Sequence, residues 1–463
     1  MTPISIFGTS SDAGKSTLTF VIAKIIQNGG YSVAPFKAQN VSNNSHVADD
    51  GSEIAIAQFF QAEVLGVPTS YHLNPVLLKS GRGNSASMIV NGRVAGEKEV
   101  REYYRDLDTL KPAVDDSFEY LFSRYDCVVC EGAGSPVELN LMDKDLSNIY
   151  IAERFNTKII LVADIERGGV FASIWGVYNL LPENLRSNVI GVIVNKFRGD
   201  MSLFDEGVTI IEERFGIPVL GVLPYLSLNL GFEDSQSLMN YVQNKTDTKI
   251  SVGVIAYPTM SNYNDIEPLI HDDELSVEFI RGDMALESYD VILLPGSKLV
   301  INDLRWLKKT GLYGRLRERT KAVYGICGGY QMMFARIDDL YAIENLEPTS
   351  EEGFGWIEDV ITLERDKILT KGTYPLFDHE IKGFEIRHGI SLKNIQWFTN
   401  KHVSGSFVHG IFENNDFRTS FFRRLHSEYI GYDFQQRKIA ILDKFIGECA
   451  GRIDVKRILN NVI

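Results

Sequence analysis

The stretch Ile4-Ser-Ile-Phe-Gly-Thr-Ser-Ser-Asp-Ala-Gly-Lys-Ser16 decides how the first part of the chain folds. A short apolar run leads into a loop bounded by Gly8 and Gly14, and apolar residues with helical spacing follow at once. This order predicts a strand, a loop and a helix whose backbone N–H groups bind nucleotide phosphates. Lys15 is then expected to reach the β- and γ-phosphates, and the Ser16 hydroxyl to bind Mg²⁺. A tight turn without a ligand would not require this lysine and serine, so a nucleotide site is the favoured interpretation.

The composition is that of an ordinary globular protein with more than one domain. The chain has 463 residues, of which 44% are hydrophobic and 23% charged, and this length predicts two or three domains. A formal net charge of −14 argues against nucleic acid or an anionic membrane as a main partner. The first strand begins almost at once, no apolar run approaches a membrane span, and the four cysteines form no disulfide framework. We therefore expect a cytoplasmic protein without a signal peptide.

Polar side chains follow the ends of several apolar strands predicted in the first part. Lys37 follows one such strand and lies where ligands bind at the edge of open α/β sheets. Glu131 ends another strand at a glycine turn, where a carboxylate suits Mg²⁺ or a general base. Asp50, near the start of a predicted helix, is either a further Mg²⁺ ligand or only a favourable partner of the helix dipole. Apolar strands that alternate with helices predict a parallel sheet covered on both faces.

Two features of the first part have competing interpretations. Residues 71–97 are rich in Asn, Ser and Gly and poor in periodicity, which favours a binding loop over a disordered connection. Cys127 and Cys130 have the Cys-x-x-Cys spacing, but they alternate poorly toward one face of a strand. Since no second cysteine pair or histidine follows nearby, we do not expect metal or redox use.

A second α/β series follows a predicted linker at residues 234–249, which divides the chain into domains 1–233 and 250–463. At its centre a strand, a glycine turn and a helix surround Cys327. Such a turn exposes a nucleophile, and a helix N-terminus lowers the pKa of a thiol, which favours catalysis over a structural cysteine. A cysteine nucleophile needs a base. His409, which ends a strand-like run and precedes a glycine, is favoured over His388.

Several motifs together resemble those of the cobyric acid synthase family. They are Gly8-Thr-Ser-Ser-Asp-Ala-Gly-Lys-Ser16, Phe36-Lys-Ala-Gln-Asn40, Asn74-Pro-Val-Leu-Leu-Lys79, Glu131-Gly-Ala-Gly-Ser135, Asp164-Ile-Glu-Arg-Gly-Gly-Val-Phe-Ala172, Asn195-Lys-Phe-Arg-Gly-Asp200, Gly325-Ile-Cys-Gly-Gly-Tyr-Gln331 and His409-Gly. The first part is also similar to dethiobiotin synthetase, which shares the longer phosphate loop, and the second part is similar to class I glutamine amidotransferases. The implied fold class is α/β with two domains: a P-loop NTPase-like parallel sheet, then a flavodoxin-like class I glutamine amidotransferase domain.

The resemblance also implies a reaction. Members of this family are glutamine-hydrolysing carbon–nitrogen ligases of cobalamin biosynthesis, which amidate carboxylates b, d, e and g of adenosylcobyrinic acid a,c-diamide. ATP with Mg²⁺ phosphorylates each carboxylate, and ammonia released from L-glutamine displaces the phosphate. The implied partners are therefore a corrinoid and L-glutamine, with no nucleic acid and no membrane. The oligomeric state is left open.

The resemblance assigns roles to residues around the phosphate loop. Lys37 is placed near the transferred phosphoryl group and Asn195 at adenine. Mg²⁺ is assigned to Ser16, Asp50 and Glu131. The remaining nucleotide contacts are assigned to Gly8, Asp12, Gly14, Lys15 and Thr17.

In the second part, the resemblance assigns glutamine hydrolysis to Cys327 as nucleophile and His409 as proton carrier. Gly296 contributes to the oxyanion hole and Gln331 holds glutamine. Many class I amidotransferases carry a glutamate two residues after the histidine, whereas this chain has Ile411 there and Glu413 as the nearest acid. A Cys/His dyad is therefore implied, and the residue that orients the histidine is left open.

Two other functions compete with this interpretation. Cobyrinic acid a,c-diamide synthase has the same two-domain plan, but the stretches that begin at Phe36 and Asn195 favour cobyric acid synthase. A regulatory P-loop ATPase with an inactive amidotransferase domain is the alternative from another class, and the intact Cys327 and His409 argue against it. A protein that only binds corrinoids would not need the lysine and serine of the phosphate loop.

Overall fold

The computed structural model describes residues 1–81, 85–231, 245, 247–282 and 284–463. Most of the predicted linker at 234–249 lies outside the described residues. We call residues 1–231 the first half, residues 247–433 the second half, and residues 434–463 the tail. Within the described residues, we find no helix with the length and apolar composition that crossing a membrane requires.

The first half contains two kinds of β-structure and several helices. Its strands are β1 (Ile4–Gly8), β2 (Val33–Phe36), β3 (Gln39–Val41), β4 (Ser45–Val47), β5 (Glu53–Ala55), β6 (Val76–Ser80), β7 (Ser85–Val90), β8 (Arg93–Glu99), β9 (Cys127–Glu131), β10 (Lys158–Asp164), β11 (Val189–Phe197) and β12 (Val219–Pro224). Its helices are α1 (Lys15–Asn28), α2 (Ile56–Leu65), α3 (Val100–Tyr103), α4 (Lys111–Phe122), α5 (Ile149–Arg154), α6 (Val170–Leu180), α7 (Glu183–Arg186) and α8 (Asp205–Phe215).

The central sheet of the first half is parallel, in the order β12-β11-β10-β1-β9-β2. Its strands are apolar and, apart from the edge strand β12, mostly buried, because hydrophobic clusters cover both faces. β1 lies between β9 and β10, so the loop that follows β1 emerges beside the carboxyl ends of both strands. This edge is where open α/β sheets bind ligands.

The second half is built around another parallel sheet, in the order β15-β13-β16-β18-β24-β23, in which only the edge strand β23 runs antiparallel. The strands of this half and its second sheet are β13 (Ile250–Ile255), β14 (Met260–Ser261), β15 (Leu275–Ile280), β16 (Val291–Leu294), β17 (Gly296–Ser297), β18 (Ala322–Ile326), β19 (Phe334–Asp339), β20 (Thr349–Glu352), β21 (Ile357–Leu376), β22 (His379–Ser391), β23 (Trp397–Asn400) and β24 (Val403–Ser406). Its helices are α9 (Glu267–Ile270), α10 (Val300–Lys309), α11 (Leu312–Glu318), α12 (Gly328–Gln331) and α13 (Asn415–Leu425). Two parallel α/β sheets in succession confirm the predicted fold class.

The expectation of an irregular connection at 71–97 is wrong for the described residues. β6, β7 and β8 are consecutive antiparallel strands that join β3 in a four-stranded sheet. In this segment Leu77 and Ile89 face each other across the strands and pack against Ala55. The sheet is stabilised by cross-strand pairing, which local composition does not reveal.

The tail consists mainly of two helices, α14 (Phe434–Ala450) and α15 (Val455–Val462). Both helices pack into the core of the first half. The N–H of Asp454 donates to the Leu220 carbonyl at 2.7 Å, and the N–H of Thr2 donates to the Val462 carbonyl at 2.8 Å. The division into domains 1–233 and 250–463 stays a prediction, and this packing shows that the tail shares the core of the first half.

Candidate functional site

The phosphate loop is the turn between β1 and α1. Gly14, its last residue, has φ 102°, a left-handed conformation that glycine adopts without strain. A side chain there would overlap the amide nitrogen of Asn195, which follows the buried part of β11. Asn195 Nδ2 donates to the Ala13 carbonyl at 2.9 Å. Asn195 therefore holds the loop against the end of a neighbouring strand, next to the space where nucleotide binding is predicted.

Lys15 is folded into the loop rather than extended into solvent. It is 8% exposed, and its Nζ lies 3.3 Å from the Ser10 carbonyl. A side chain at Gly8 would come within 2.8 Å of this nitrogen, so a glycine leaves space for the lysine. Thr17 follows in the first turn of α1. Asp12 is exposed at the tip of the loop, where its carboxylate pairs with Arg167 at 3.0 Å.

Glu131 is the centre of the first candidate site. Its Oε1 accepts from Ser16 at 2.6 Å and from Lys37 at 2.7 Å. Burial alone would raise the pKa of the Glu131 carboxyl, but the charge and hydrogen bond of Lys37 outweigh it and lower the pKa. The structure thus brings together three residues that the sequence placed on separate elements. Glu131 and the Ser16 hydroxyl both carry oxygen atoms, the type of ligand that Mg²⁺ prefers in proteins.

Two glutamines that the sequence analysis missed complete this arrangement. Gln61 Nε2 donates to Glu131 Oε2 at 2.6 Å, and Gln58 Nε2 donates to the same oxygen at 3.2 Å. Both lie on α2, which carries them to the carboxylate. Their spacing of three residues on a helix was the available signal, since such residues share a helix face.

Asp50 is predicted to bind Mg²⁺ together with Glu131, but its contacts are with other residues. It is exposed in the turn between β4 and β5, and its carboxylate accepts from the backbone N–H groups of Ser52 and Tyr71 at 3.0 and 3.3 Å. Among the described residues, we find no group of three or more His, Cys, Asp and Glu side chains that could hold a metal ion. The role of Asp50 in Mg²⁺ binding stays a prediction.

The second candidate site surrounds Cys327, at the sharp turn between β18 and α12. Its backbone has φ 48° and ψ −103°, a strained conformation for a residue other than glycine, and its side chain is 5% exposed. The predicted helix after it is present but short, since α12 ends at Gln331 and β19 begins at Phe334. One helical turn gives only a small dipole at its N-terminus.

His409 is held at both ring nitrogens. Asp265 Oδ2 lies 2.6 Å from Nδ1, and Asn262 Nδ2 lies 3.1 Å from Nε2. The ring is 1% exposed and stacks on Phe384. Burial alone would lower the pKa of His409, but the interactions with Asp265 and Cys327 outweigh it and raise the pKa to about 10. Cysteine and histidine therefore interact, as the sequence predicted, and an aspartate that it did not single out joins them.

His388, the competing base, has a different environment. Its Nδ1 lies 2.9 Å from the Glu364 carbonyl. Burial, assisted by the charges of Lys367 and Lys298, lowers its pKa to about 4. These contacts favour His409 as the partner of Cys327.

Gly296 and Gln331 border the same site. A side chain at Gly296 would lie 3.1 Å from Cε1 of His409 and 2.9 Å from the Ser261 carbonyl, so only glycine leaves this space open. Gln331 is 3% exposed, and its Oε1 is buried without a hydrogen-bond partner among the described residues. An unsatisfied buried amide oxygen is costly, and a bound ligand with an N–H donor would satisfy it.

Asn262 also connects the two candidate sites. Its backbone N–H donates to Asn44 Oδ1 at 2.6 Å, and its Oδ1 accepts from the Ser45 N–H at 3.2 Å. The Asn44 carbonyl in turn accepts from the N–H of Ile56, the first residue of α2. Since α2 carries the glutamines that contact Glu131, hydrogen bonds and one helix link the two sites.

The comparisons with known proteins agree with this two-part architecture. Residues 4–230 match the CobQ/CobB/MinD/ParA nucleotide binding domain, and residues 251–417 match the CobB/CobQ-like glutamine amidotransferase domain. A cobyric acid synthase of Acinetobacter baylyi is 62% identical over 100% of this chain and 99% of its own. A cobyric acid synthase of Anoxybacillus flavithermus is 40% identical over 90% and 87%, and a probable one of Methanothermobacter thermautotrophicus is 38% identical over 95% and 95%. The chain therefore belongs to the cobyric acid synthase family, whose members are ligases that contain a glutamine amidotransferase domain.

Proposed function

We propose that the protein amidates carboxylates b, d, e and g of adenosylcobyrinic acid a,c-diamide, with ATP and L-glutamine, in cobalamin biosynthesis. The observation that carries this proposal is the 62% identity over the whole chain to a relative named cobyric acid synthase. The two candidate sites support it, because one suits phosphoryl transfer and the other suits amide hydrolysis. Each half thus contributes one of the two chemistries that a glutamine-dependent ligase needs.

Activation of the carboxylate belongs to the first site. A carboxylate is a poor electrophile until its oxygen takes the γ-phosphoryl group of ATP, which gives an acyl phosphate and ADP. Lys15 and Lys37 would balance the negative charge of the phosphates, and Ser16 and Glu131, which contact each other, would hold Mg²⁺. When bound, Mg²⁺ would neutralise further phosphate charge. We assign adenine contact to Asn195, which already holds the phosphate loop in place.

Release of ammonia belongs to the second site. The Cys327 sulfur attacks the amide carbon of glutamine, His409 gives a proton to the departing nitrogen, and the resulting thioester is hydrolysed to glutamate. We assign the oxyanion contact to the Gly296 region and the binding of glutamine to Gln331, whose amide oxygen needs a donor. Ammonia then attacks the acyl carbon in the first site. The amide forms as phosphate leaves with the carboxylate oxygen.

The test is the mass of the corrinoid product after incubation with adenosylcobyrinic acid a,c-diamide, glutamine and Mg-ATP. Each conversion of a carboxylate to an amide lowers the mass by about one unit, so high-resolution spectra count the amidations. We expect four conversions. Amidation of cobyrinic acid in place of the diamide would assign the chain to cobyrinic acid a,c-diamide synthase. If the protein hydrolyses ATP but amidates neither corrinoid, the result would favour a regulatory ATPase.

A further inference from the structure

The contact between Asp265 and His409 joins residues 144 positions apart in the chain. Asp265 lies in a short 3₁₀ helix, Tyr263–Ile266, directly after the pairing of β14 with β17. Its side chain is fully buried, and both carboxylate oxygens are used. Oδ2 lies 2.6 Å from Nδ1 of His409, and Oδ1 accepts from the Gly410 N–H at 2.7 Å. The aspartate therefore fixes both the ring and the backbone beside it.

This geometry determines which ring nitrogen is available for chemistry. A carboxylate only accepts hydrogen bonds, so Nδ1 of His409 carries a hydrogen and donates it to Asp265. Nε2 is then the nitrogen that can exchange a proton with Cys327, and it is also the nitrogen that Asn262 contacts. We propose that Asp265 is the residue that positions His409 for glutamine hydrolysis. The inference rests on the proposed glutaminase role of the second site.

Glu413 is the acidic residue nearest to His409 in the sequence, but it does not position the His409 ring. Its carboxylate accepts from Gln435 Nε2 at 3.3 Å, and burial raises its pKa to about 7, which makes it a weak source of negative charge near neutral pH. Ile411 occupies the position where many class I amidotransferases carry glutamate. An aspartate from a distant segment thus supplies the charge that is missing after the histidine.

The charges around the ring favour the protonated form of His409. The titratable groups that act on His409 are Asp265, Cys327 and His46, and Glu413 acts in turn on Asp265. Burial alone would lower the pKa of His409, but Asp265 and Cys327 outweigh it and raise the pKa to about 10. The negative charge of Asp265 therefore stabilises the protonated form of the ring, which forms when Nε2 takes a proton.

The test is Asp265→Asn, which keeps the size of the side chain but removes its charge. An amide can donate to Nδ1 and so favours the wrong tautomer. We expect kcat for glutamine hydrolysis to fall by about 10²- to 10⁴-fold with a nearly unchanged KM. We expect the pH profile of Cys327 alkylation by iodoacetamide to change, because the protonated His409 ring beside the sulfur loses its counter-charge. Corrinoid amidation driven by added ammonia should keep the wild-type rate. Asp265→Glu, which restores the charge, should recover part of kcat.

Glu413→Gln is the matched control and should leave glutamine hydrolysis and the alkylation profile unchanged. The proposal is overturned if Asp265→Asn hydrolyses glutamine at the wild-type rate with an unchanged alkylation profile. It is also overturned if the variant loses ammonia-driven activity together with glutaminase activity, since the aspartate would then have a general structural role. Alkylation and glutamine hydrolysis need no corrinoid. A wild-type protein that hydrolyses glutamine but amidates no corrinoid would therefore contradict the proposed function and leave this inference intact.

Discussion

Glu53 of the first half accepts hydrogen bonds from Lys367 of the second half, at 2.6 Å on Oε2 and 2.8 Å on Oε1. Lys79 donates to the same carboxylate at 2.7 Å, so one carboxylate lies between two ammonium groups from different halves. Glu53 is 1% exposed. A buried charge without a partner is strongly disfavoured. The contact between the two halves is therefore stabilising only if Glu53 and both lysines are present.

Glu53→Gln should destabilise the protein strongly. The substitution leaves two buried lysines without a counter-charge, and breaking a buried pair in this way costs about 3–5 kcal/mol. We expect a corresponding fall in the free energy of unfolding, measured by chemical denaturation. Asp106→Asn is the matched control, because the pair of Lys98 and Asp106 is 33% and 51% exposed, and such pairs contribute about 0–1 kcal/mol. Equal effects of the two substitutions would contradict the importance of the buried network.

The same network should make stability sensitive to acid. Burial alone would raise the pKa of Glu53, but Lys367 and Lys79 outweigh it and lower the pKa well below 4.5, the ordinary value. The folded protein therefore holds the carboxylate ionised where the unfolded chain would protonate it. This contribution is fully present above pH 4.5 and is lost as the pH falls toward the folded pKa. Between pH 5 and 3, Glu53→Gln should show a shallower loss of stability than the wild type, in thermal unfolding measured over a pH series.

Cys327→Ala should separate the two chemistries. The variant lacks the nucleophile that attacks glutamine, so glutamine-dependent amidation should be lost while amidation driven by added ammonia persists. Cys449→Ala is the matched control, because this cysteine is also buried but packs in the core of the first half. Both activities should survive in that variant. Loss of ammonia-driven activity in a folded Cys327→Ala protein would show that the cysteine has another role.

The sequence predicts the two parallel sheets because their strands are continuous apolar runs. Such runs can be recognised without knowing which strands pair with each other. It also predicts the sharp turn at Cys327 because two glycines follow this cysteine directly. These features are local. The strands within residues 71–97 were missed because they are stabilised by pairs such as Leu77 and Ile89, which come together only when the sheet forms.

The partners of the predicted site residues were missed for the same reason. Asp265 meets His409 across 144 residues, and no motif or spacing connects them. The packing of the tail against the first half is also a tertiary contact, made by helices whose apolar faces are visible in sequence but whose partner is not. Patterns along the chain therefore predict the helices, the strands and the nucleophile. The side chains that orient the site residues can be identified only in the folded structure.

Lys15→Met should remove ATP-dependent chemistry while glutamine hydrolysis is retained. The ammonium group lies within the phosphate loop, and the loss of one such electrostatic contact typically lowers kcat by about 10²- to 10³-fold. The measurement is corrinoid amidation with added ammonia and Mg-ATP. Lys24→Met is the matched control, since Lys24 lies on the same helix but contacts Gln27 at 2.8 Å, away from the loop. An equally active Lys15→Met enzyme would contradict the assignment of this loop to nucleotide phosphates.

Gly14→Ala tests whether the phosphate loop needs its close approach to Asn195. Gly14 and Gly30 both have left-handed backbones, with φ of 102° and 96°, so alanine at either position carries a conformational cost of about 1–2 kcal/mol. Only at Gly14 would the new methyl group also overlap Asn195, because nothing lies within 4 Å of a side chain at Gly30. We therefore expect both variants to lose stability, but only Gly14→Ala to lose binding of a fluorescent ATP analogue. Equal losses of binding in the two variants would mean that backbone strain alone accounts for the effect and that the contact with Asn195 is unimportant.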